Sequence, residues 1–468
     1  MAETTRNLLT EFSCAGKWWL PGDPDHPVFG KLTYEPSGQI RLDLMGTMGS
    51  REIADRVSKL SSFAKWDVML GLCEDGTPCT LLDIREISGP LFPNESGRSC
   101  LVAERLFMGS HFSSVDGIVF ENAVVEYTYL EDWVHARTFH VKFETEARKR
   151  VVEFSAEPLL LADIAIETRQ TRLALYAGID AKESVGKSFE ARARAWFQII
   201  PNGPREYRWY EEFVWSLGSL LTLCIGEPVY PRKITGKLSS MGEPGAPAPS
   251  TVELYLRLQD PNVRAQVSYP SMPVPFFMIT DQAAQFVVAW YALQEKINSV
   301  IGLLVGTYYN PRMYVETEFL TLMQAFEILH RRLIGGTYVT QEEWQPSYQA
   351  LLKAIPHSLA SDHKAALKMR LHYGFEISLR KRLTLTLRGL EEKTRNLITG
   401  GDERFVERCV ETRNGLTHEG SGSLLTEGLE VLWNVNRRLR ALVTCLIWKQ
   451  LGLSEERIVT EIFSRVRP

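Results

Sequence analysis

Phe319-Leu320-Thr321-Leu322-Met323-Gln324-Ala325-Phe326-Glu327-Ile328-Leu329-His330-Arg331-Arg332-Leu333 has one period, and that period decides the fold. Phe319, Leu322, Met323, Phe326, Leu329 and Leu333 recur at steps of three and four, the spacing of one buried helix face. Leu429, Leu432, Val435, Leu439, Leu442 and Leu446 repeat the pattern near the end of the chain. Working back toward the N-terminus, this period holds as far as Pro270, Pro273 and Pro275, which interrupt regular structure.

Before those prolines the period is two. Leu32 and Tyr34, then Ile40, Leu42 and Leu44, flank a Glu35-Pro36-Ser37-Gly38 turn and predict a hairpin. Val125, Tyr127 and Tyr129 alternate in the same way, as do Phe139, Val141 and Phe143, and Val252, Leu254 and Leu256. One helix is expected among these strands, where Trp209, Phe213, Leu217, Leu220 and Leu221 follow the Pro201-Asn202-Gly203-Pro204 break. Gly242–Pro249 predicts a loop or hairpin tip. The expected architecture is α+β and multidomain: a β-rich domain over 1–275, then an all-α helical bundle over 276–468. A sheet wrapped around one helix and two small β-domains fit 1–275 equally well.

With 468 residues, 24% charged and 44% hydrophobic, the chain is outside the disordered and fibrous classes. No apolar run approaches the ~18 residues that span a bilayer. Met1–Arg6 leads into no apolar segment of a secretory signal, so a soluble cytoplasmic protein is expected. Seven scattered cysteines (Cys14, Cys73, Cys79, Cys100, Cys224, Cys409, Cys445) match no zinc or redox spacing, and no structural metal is expected. The net charge of −4 hides an asymmetry: 29 basic and 36 acidic residues in 1–280, 24 and 21 afterwards. Lys364–Arg395 holds nine basic residues and three acidic ones, a stretch able to follow a phosphate backbone or simply to be solvated.

Several motifs fail. Gly186-Lys187-Ser188 lacks the first glycine of a phosphate loop, which would fall at Ala181. His135 and His140 lie at an odd separation in a strand-like stretch, hence on opposite faces. Neither a His-Glu-x-x-His nor a Gly-x-Ser-x-Gly sequence occurs.

Arg413-Asn414-Gly415-Leu416-Thr417-His418 remains. These residue types suit RNA cleavage without a metal, because RNA brings its own nucleophile, the 2′-hydroxyl. His418 can move a proton near neutral pH. Arg413 can hold non-bridging phosphate oxygens and stabilise the developing charge. Asn414 can orient either partner. On an unbroken helix Arg413 and His418 stand about 140° apart, so they face one substrate if Gly415 loosens the turn or if two copies meet across a dimer. A structural role fits the same residues, with Arg413 paired to an acidic neighbour and His418 capping a helix. So do a non-catalytic RNA- or nucleotide-binding module and a dimerisation scaffold.

This Arg-Asn-x-x-x-His motif in a C-terminal helical bundle resembles the HEPN superfamily, many of whose members are metal-independent, dimeric RNases. The helix Glu318–Arg331 resembles the long helix upstream of the motif in the ApeA-like branch. Trp18-Trp19-Leu20-Pro21 and His26–Tyr34 resemble the start of that branch's N-terminal domain. The resemblance implies a bacterial anti-phage ribonuclease of abortive-infection type, acting on RNA (tRNA is plausible) as a homodimer without cofactor or metal. Arg413, Asn414 and His418 would be its catalytic residues, and the β-rich domain would sense a phage-derived trigger or restrain the nuclease. Glu327 is a further candidate for a supporting acid, although its place on the stripe favours a surface-edge glutamate.

Overall fold

Most of the period-two segments pair into one large antiparallel sheet, and the regular elements from Ala283 onward are helices. The computed structural model describes residues 6–48, 64–89, 97–144, 149–155, 157–184, 188–238, 251–259, 261, 263–264, 267–417 and 423–465. Two compact units emerge, Met1–Val288 and Ala289–Pro468. The proline-rich segment where the period changes carries only single 3₁₀ turns, Tyr269–Ser271 and Phe276–Met278.

Six strands of the first unit close on themselves. They are β1 (Phe12–Trp19), β2 (Val28–Tyr34), β3 (Ile40–Leu44), β4 (Lys65–Cys73), β5 (Pro78–Ser88) and β6 (Ser99–Ala103). The pairings β1–β2, β2–β3, β3–β6, β6–β5, β5–β4 and β4–β1 are all antiparallel and make a closed ring, which removes free edges. The expected hairpin is present, with Tyr34 opposite Ile40. Inside, Trp18, Leu32, Tyr34, Leu42 and Leu82 are at most 1% exposed. Gly71 is required there, because a Cβ would run into the Trp18 ring.

β7 (Arg105–Met108) continues the line of β6 along the same edge of β5 but pairs outward. The sheet leaves the barrel through it. The remaining strands are β8 (Val119–Tyr127), β9 (Phe139–Glu144), β10 (Lys149–Phe154), β11 (Leu159–Ile166), β12 (Thr171–Ser184), β13 (Ser188–Pro201), β14 (Arg205–Glu206), β15 (Pro231–Leu238) and β16 (Thr251–Leu256). Their order is β7-β16-β15-β8-β13-β12-β11, with β14 beside β8 and a separate β9–β10 ribbon. One continuous sheet, rather than two β-domains, therefore underlies this unit.

A short helix, α1 (Leu130–Val134), was not expected; Tyr129 and His135 flank it in the left-handed region at φ 61° and 49°. That takes both residues out of the strands in which their alternation had placed them. The expected helix is α2 (Tyr207–Ile225). It buries Phe213, Leu217, Leu220 and Leu221, and the Tyr127 hydroxyl ties β8 to it by donating to the Val214 carbonyl at 2.6 Å. In β9 the alternation of Phe139, Val141 and Phe143 faces outward, with Val141 and Phe143 about 60% exposed. The Gly242–Pro249 stretch and Gly186-Lys187 lie outside the described residues.

The second unit is helical. It takes the C-terminal part of α3 (Ala283–Tyr309, broken in dihedrals at Ile297), then α4 (Val315–Leu333), α5 (Gln341–Lys353), α6 (Ser361–His372), α7 (Leu379–Arg388), α8 (Glu392–Thr399), α9 (Phe405–Thr417), α10 (Ser423–Glu427) and α11 (Leu429–Gln450). The two sequence stripes meet where α4 packs on α11. Phe319, Leu322, Met323, Phe326, Leu329, Leu432, Val435, Leu439 and Leu442 are all buried there, each contributing ~1.5–3 kcal/mol. Leu429 departs from the expected stripe and is 58% exposed, because the helix only begins with it.

Candidate active site

α9 turns Phe405, Cys409 and Thr412 inward, three positions at i, i+4 and i+7. Arg413 falls beside that face and is half-buried, whereas Asn414 and Thr417 are exposed. One Arg413 N–H donates to Asn414 Oδ1 at 3.3 Å. The Thr417 hydroxyl sits within hydrogen-bond distance of the Arg413 and Asn414 carbonyls, at 2.9 and 3.1 Å, which satisfies acceptors in the last turn. The chain returns against the same helix at Leu424, whose N–H donates to the buried Thr412 hydroxyl at 3.2 Å.

Gly415 lies inside the continuous helix, so the loosened turn expected as one way of aligning the motif is not found. His418 lies outside the described residues. Arg413 has no carboxylate at ion-pair distance among the described residues. The other arginines here behave differently: Arg408 pairs with Asp402 at 2.6 Å and with Glu427, and Arg404 with Glu407 at 3.0 Å.

A second group of polar residues was missed by sequence reasoning. Arg382, only 2% exposed, donates to His330 Nδ1 at 3.1 Å and to the Gly335 carbonyl at 2.9 Å. It also faces Glu376 at 3.6 Å; Glu376 pairs with Arg331, and Arg331 with Glu327 at 3.0 Å. With Nδ1 accepting, the neutral His330 ring carries its proton on Nε2, which has no hydrogen-bond partner among the described residues. Burial first, and Arg382 second, hold its pKa below the usual value. Burial also lowers that of Arg382, with Arg331 adding repulsion. Glu327 is thus engaged in an ion pair. The only sequence signal for this group was a histidine directly after Leu329, within the apolar stripe.

The arginines of α11 are engaged as well. Arg440 pairs with Glu318 and lies over the Tyr308 ring at 4.8 Å, and Arg437 lies over Trp433 at 5.0 Å. Arg438 donates to the Thr399 carbonyl at 3.2 Å, capping α8. Gly400 follows at φ 63°, and a side chain there would collide with the Arg438 guanidinium.

Among the described residues no group of three or more His, Cys, Asp or Glu is placed to hold a metal ion. Nor is any helix among them long and apolar enough to cross a membrane. The seven cysteines are buried free thiols.

Comparison with known proteins bears on both units. Residues 13–290 match the family model of ApeA N-terminal domain 1, and residues 320–457 match that of the Apea-like HEPN domain. No curated protein and no solved structure matches the chain. The first match spans more than half of the sequence and the second follows it in order, so the chain belongs to the ApeA family, with an ApeA N-terminal domain followed by an Apea-like HEPN domain.

Proposed function

We propose that this protein is a metal-independent endoribonuclease of bacterial anti-phage defence, with Arg413, Asn414 and His418 as its catalytic residues. The family supports ribonuclease chemistry in a defence setting. The observation that carries the residue assignment is Arg413 itself: a half-buried guanidinium with no carboxylate partner among the described residues, on a helix whose neighbouring arginines are neutralised. A cation left without a partner keeps its full charge for a phosphate.

In this reading a 2′-hydroxyl attacks the adjacent phosphorus and the 5′-oxygen leaves. The products are a 2′,3′-cyclic phosphate and a 5′-hydroxyl. His418 takes the 2′-hydroxyl proton or delivers one to the leaving oxygen. Arg413 stabilises the negative charge that builds on the phosphoryl oxygens. Asn414, already bonded to Arg413, orients the guanidinium. One histidine per chain supplies one proton-transfer group, so two chains acting together would supply both, and a homodimer is the expected working unit. The β-rich unit would receive the phage-derived trigger.

The test is incubation of the purified protein with total tRNA in excess chelator, beside Arg413→Ala and His418→Ala. Fragments ending in 2′,3′-cyclic phosphate, absent with either variant, are the expected result. Equal cleavage by the variants overturns the site. Cleavage only after a metal is added overturns the mechanism. Binding of RNA without turnover, even in the presence of phage lysate, favours a binding module instead.

A further inference from the structure

Resting on the reading that the substrate is RNA, we propose that the outward face of α7, carrying Arg380, Lys381 and Arg388, is the surface that holds the RNA backbone. Residues 377–390 include Arg380, Lys381, Arg382 and Arg388 and no acidic side chain. The helix starts at Ser378, whose hydroxyl accepts the Lys381 N–H at 3.3 Å. Its inward side takes Arg382, Leu383, Thr386 and Leu387, all buried. At 100° per residue, Arg380, Thr384, Arg388 and Lys381 then fall within about 100° of arc on the other side. Lys381 and Arg388 are seven residues apart on it, about 10 Å along the axis. The three cations are exposed.

Two observations distinguish this face from an ordinary solvated one. Among the described residues none of the three cations has a carboxylate at ion-pair distance; Arg312, Arg332 and Lys353 share that state singly, but here three such cations lie on one helix face that carries no acidic side chain, whereas Arg331, Arg382, Arg404, Arg408, Arg440, Lys449 and Arg457 are all paired. The other arginine-rich helix, α11, spends its cations on Trp433, the Thr399 carbonyl and Glu318. The α7 face therefore keeps an uncompensated positive potential, which a polyanion would relieve. α7 also packs directly against α9, the helix of Arg413.

The chemistry of the face favours a nucleic-acid backbone over an acidic protein. A protein interface is anchored by a desolvated apolar or aromatic centre. Here Leu385, 40% exposed, is the one large apolar side chain on the outer side of the helix. Phosphates need only cations at suitable spacing.

The test measures binding of labelled tRNA to the full-length protein in chelator, from about 50 to 300 mM salt. Arg380→Gln/Lys381→Gln/Arg388→Gln is compared with wild type and with Arg312→Gln/Arg332→Gln/Lys353→Gln, which removes equal charge from elsewhere in the helical unit. The α7 variant is expected to bind about tenfold weaker or worse near 150 mM, with a salt slope shallower by about 2, from ~0.7 per phosphate on a single strand. The control should stay within about twofold of wild type. A wild-type slope in the α7 variant, or an equal loss in the control, overturns the proposal. Displacement of the RNA by poly-glutamate of matched charge as readily as by unlabelled RNA overturns it in favour of an acidic protein partner. The ribonuclease reading fails separately: an α7-dependent slope in a wild-type protein that never cleaves retains the surface and removes the catalysis.

Discussion

Two arginines of the helical unit, Arg382 and Arg413, end in opposite states. Around Arg382 the guanidinium is buried, its donors meet His330, Gly335 and Glu376, and Arg331 and Glu327 extend the network to the surface. At Arg413 the guanidinium is half-buried and its described side-chain partner is a neutral amide. Residue type therefore does not decide the role of an arginine in this bundle. Desolvation and the supply of carboxylates decide it: a buried cation has to be satisfied by the protein, and an unsatisfied one at the surface keeps its charge for a ligand.

The sharpest way to break this comparison is to remove each arginine in turn. Arg382→Ala should destabilise the protein by about 3 kcal/mol, because it leaves a cavity, strands His330 Nδ1 and uncaps the Gly335 carbonyl. Urea unfolding would show it. A loss below about 1 kcal/mol would mean that the network is dispensable. Arg413→Ala should do the reverse, lowering tRNA cleavage at least ~100-fold, equivalent to about 2.7 kcal/mol in the barrier, with the unfolding midpoint unchanged. A shift in stability without loss of cleavage would make Arg413 structural.

Smaller effects sharpen the contrast between satisfied and free cations. Gly400→Ala should cost about 1–2 kcal/mol, since the new methyl both strains a backbone at φ 63° and displaces Arg438 from the end of α8. Thr412→Val should cost about 1 kcal/mol by leaving the Leu424 N–H unpaired, measurable by thermal unfolding.

Acid should act on the closed group first. Folded His330 binds its proton below the pKa of about 6.5 that the unfolded chain shows. Between those two values the unfolded state holds more protons, so stability declines as pH drops from about 6.5 through the folded value. His330→Gln, which keeps an acceptor for Arg382 and removes the titration, should flatten that part of the stability–pH curve. An unchanged slope would assign the acid sensitivity to other groups.

These outcomes bear on how far residues can be read without coordinates. The stripes at Phe319–Leu333 and Leu429–Leu446 disclosed two helices and their buried faces, because a period of 3.6 is a local consequence of helix geometry. The period-two segments disclosed strands for the same reason. They could not disclose that β1–β6 close into a barrel while β7 leads out of it, since pairing joins segments far apart in sequence. Alternation also failed locally. Tyr129 and His135 left the strands for left-handed turns about α1, and Phe139, Val141 and Phe143 alternate on a ribbon whose apolar side faces outward.

The nine cations of Lys364–Arg395 read as one field along the chain. Tertiary packing turned Arg382 inward as the polar centre of a helix contact and left Arg380, Lys381 and Arg388 outside, with no carboxylate at ion-pair distance among the described residues. The sequence by itself determined the two-part architecture, the two long helices that pack together in the helical unit, and the family resemblance, because periodicity and motif spacing are properties of neighbouring residues. Which arginines are neutralised and which stay free was decided only when the helices packed. Desolvation and ion pairing depend on groups brought together from distant parts of the chain, such as Arg382 with His330 and Arg440 with Glu318.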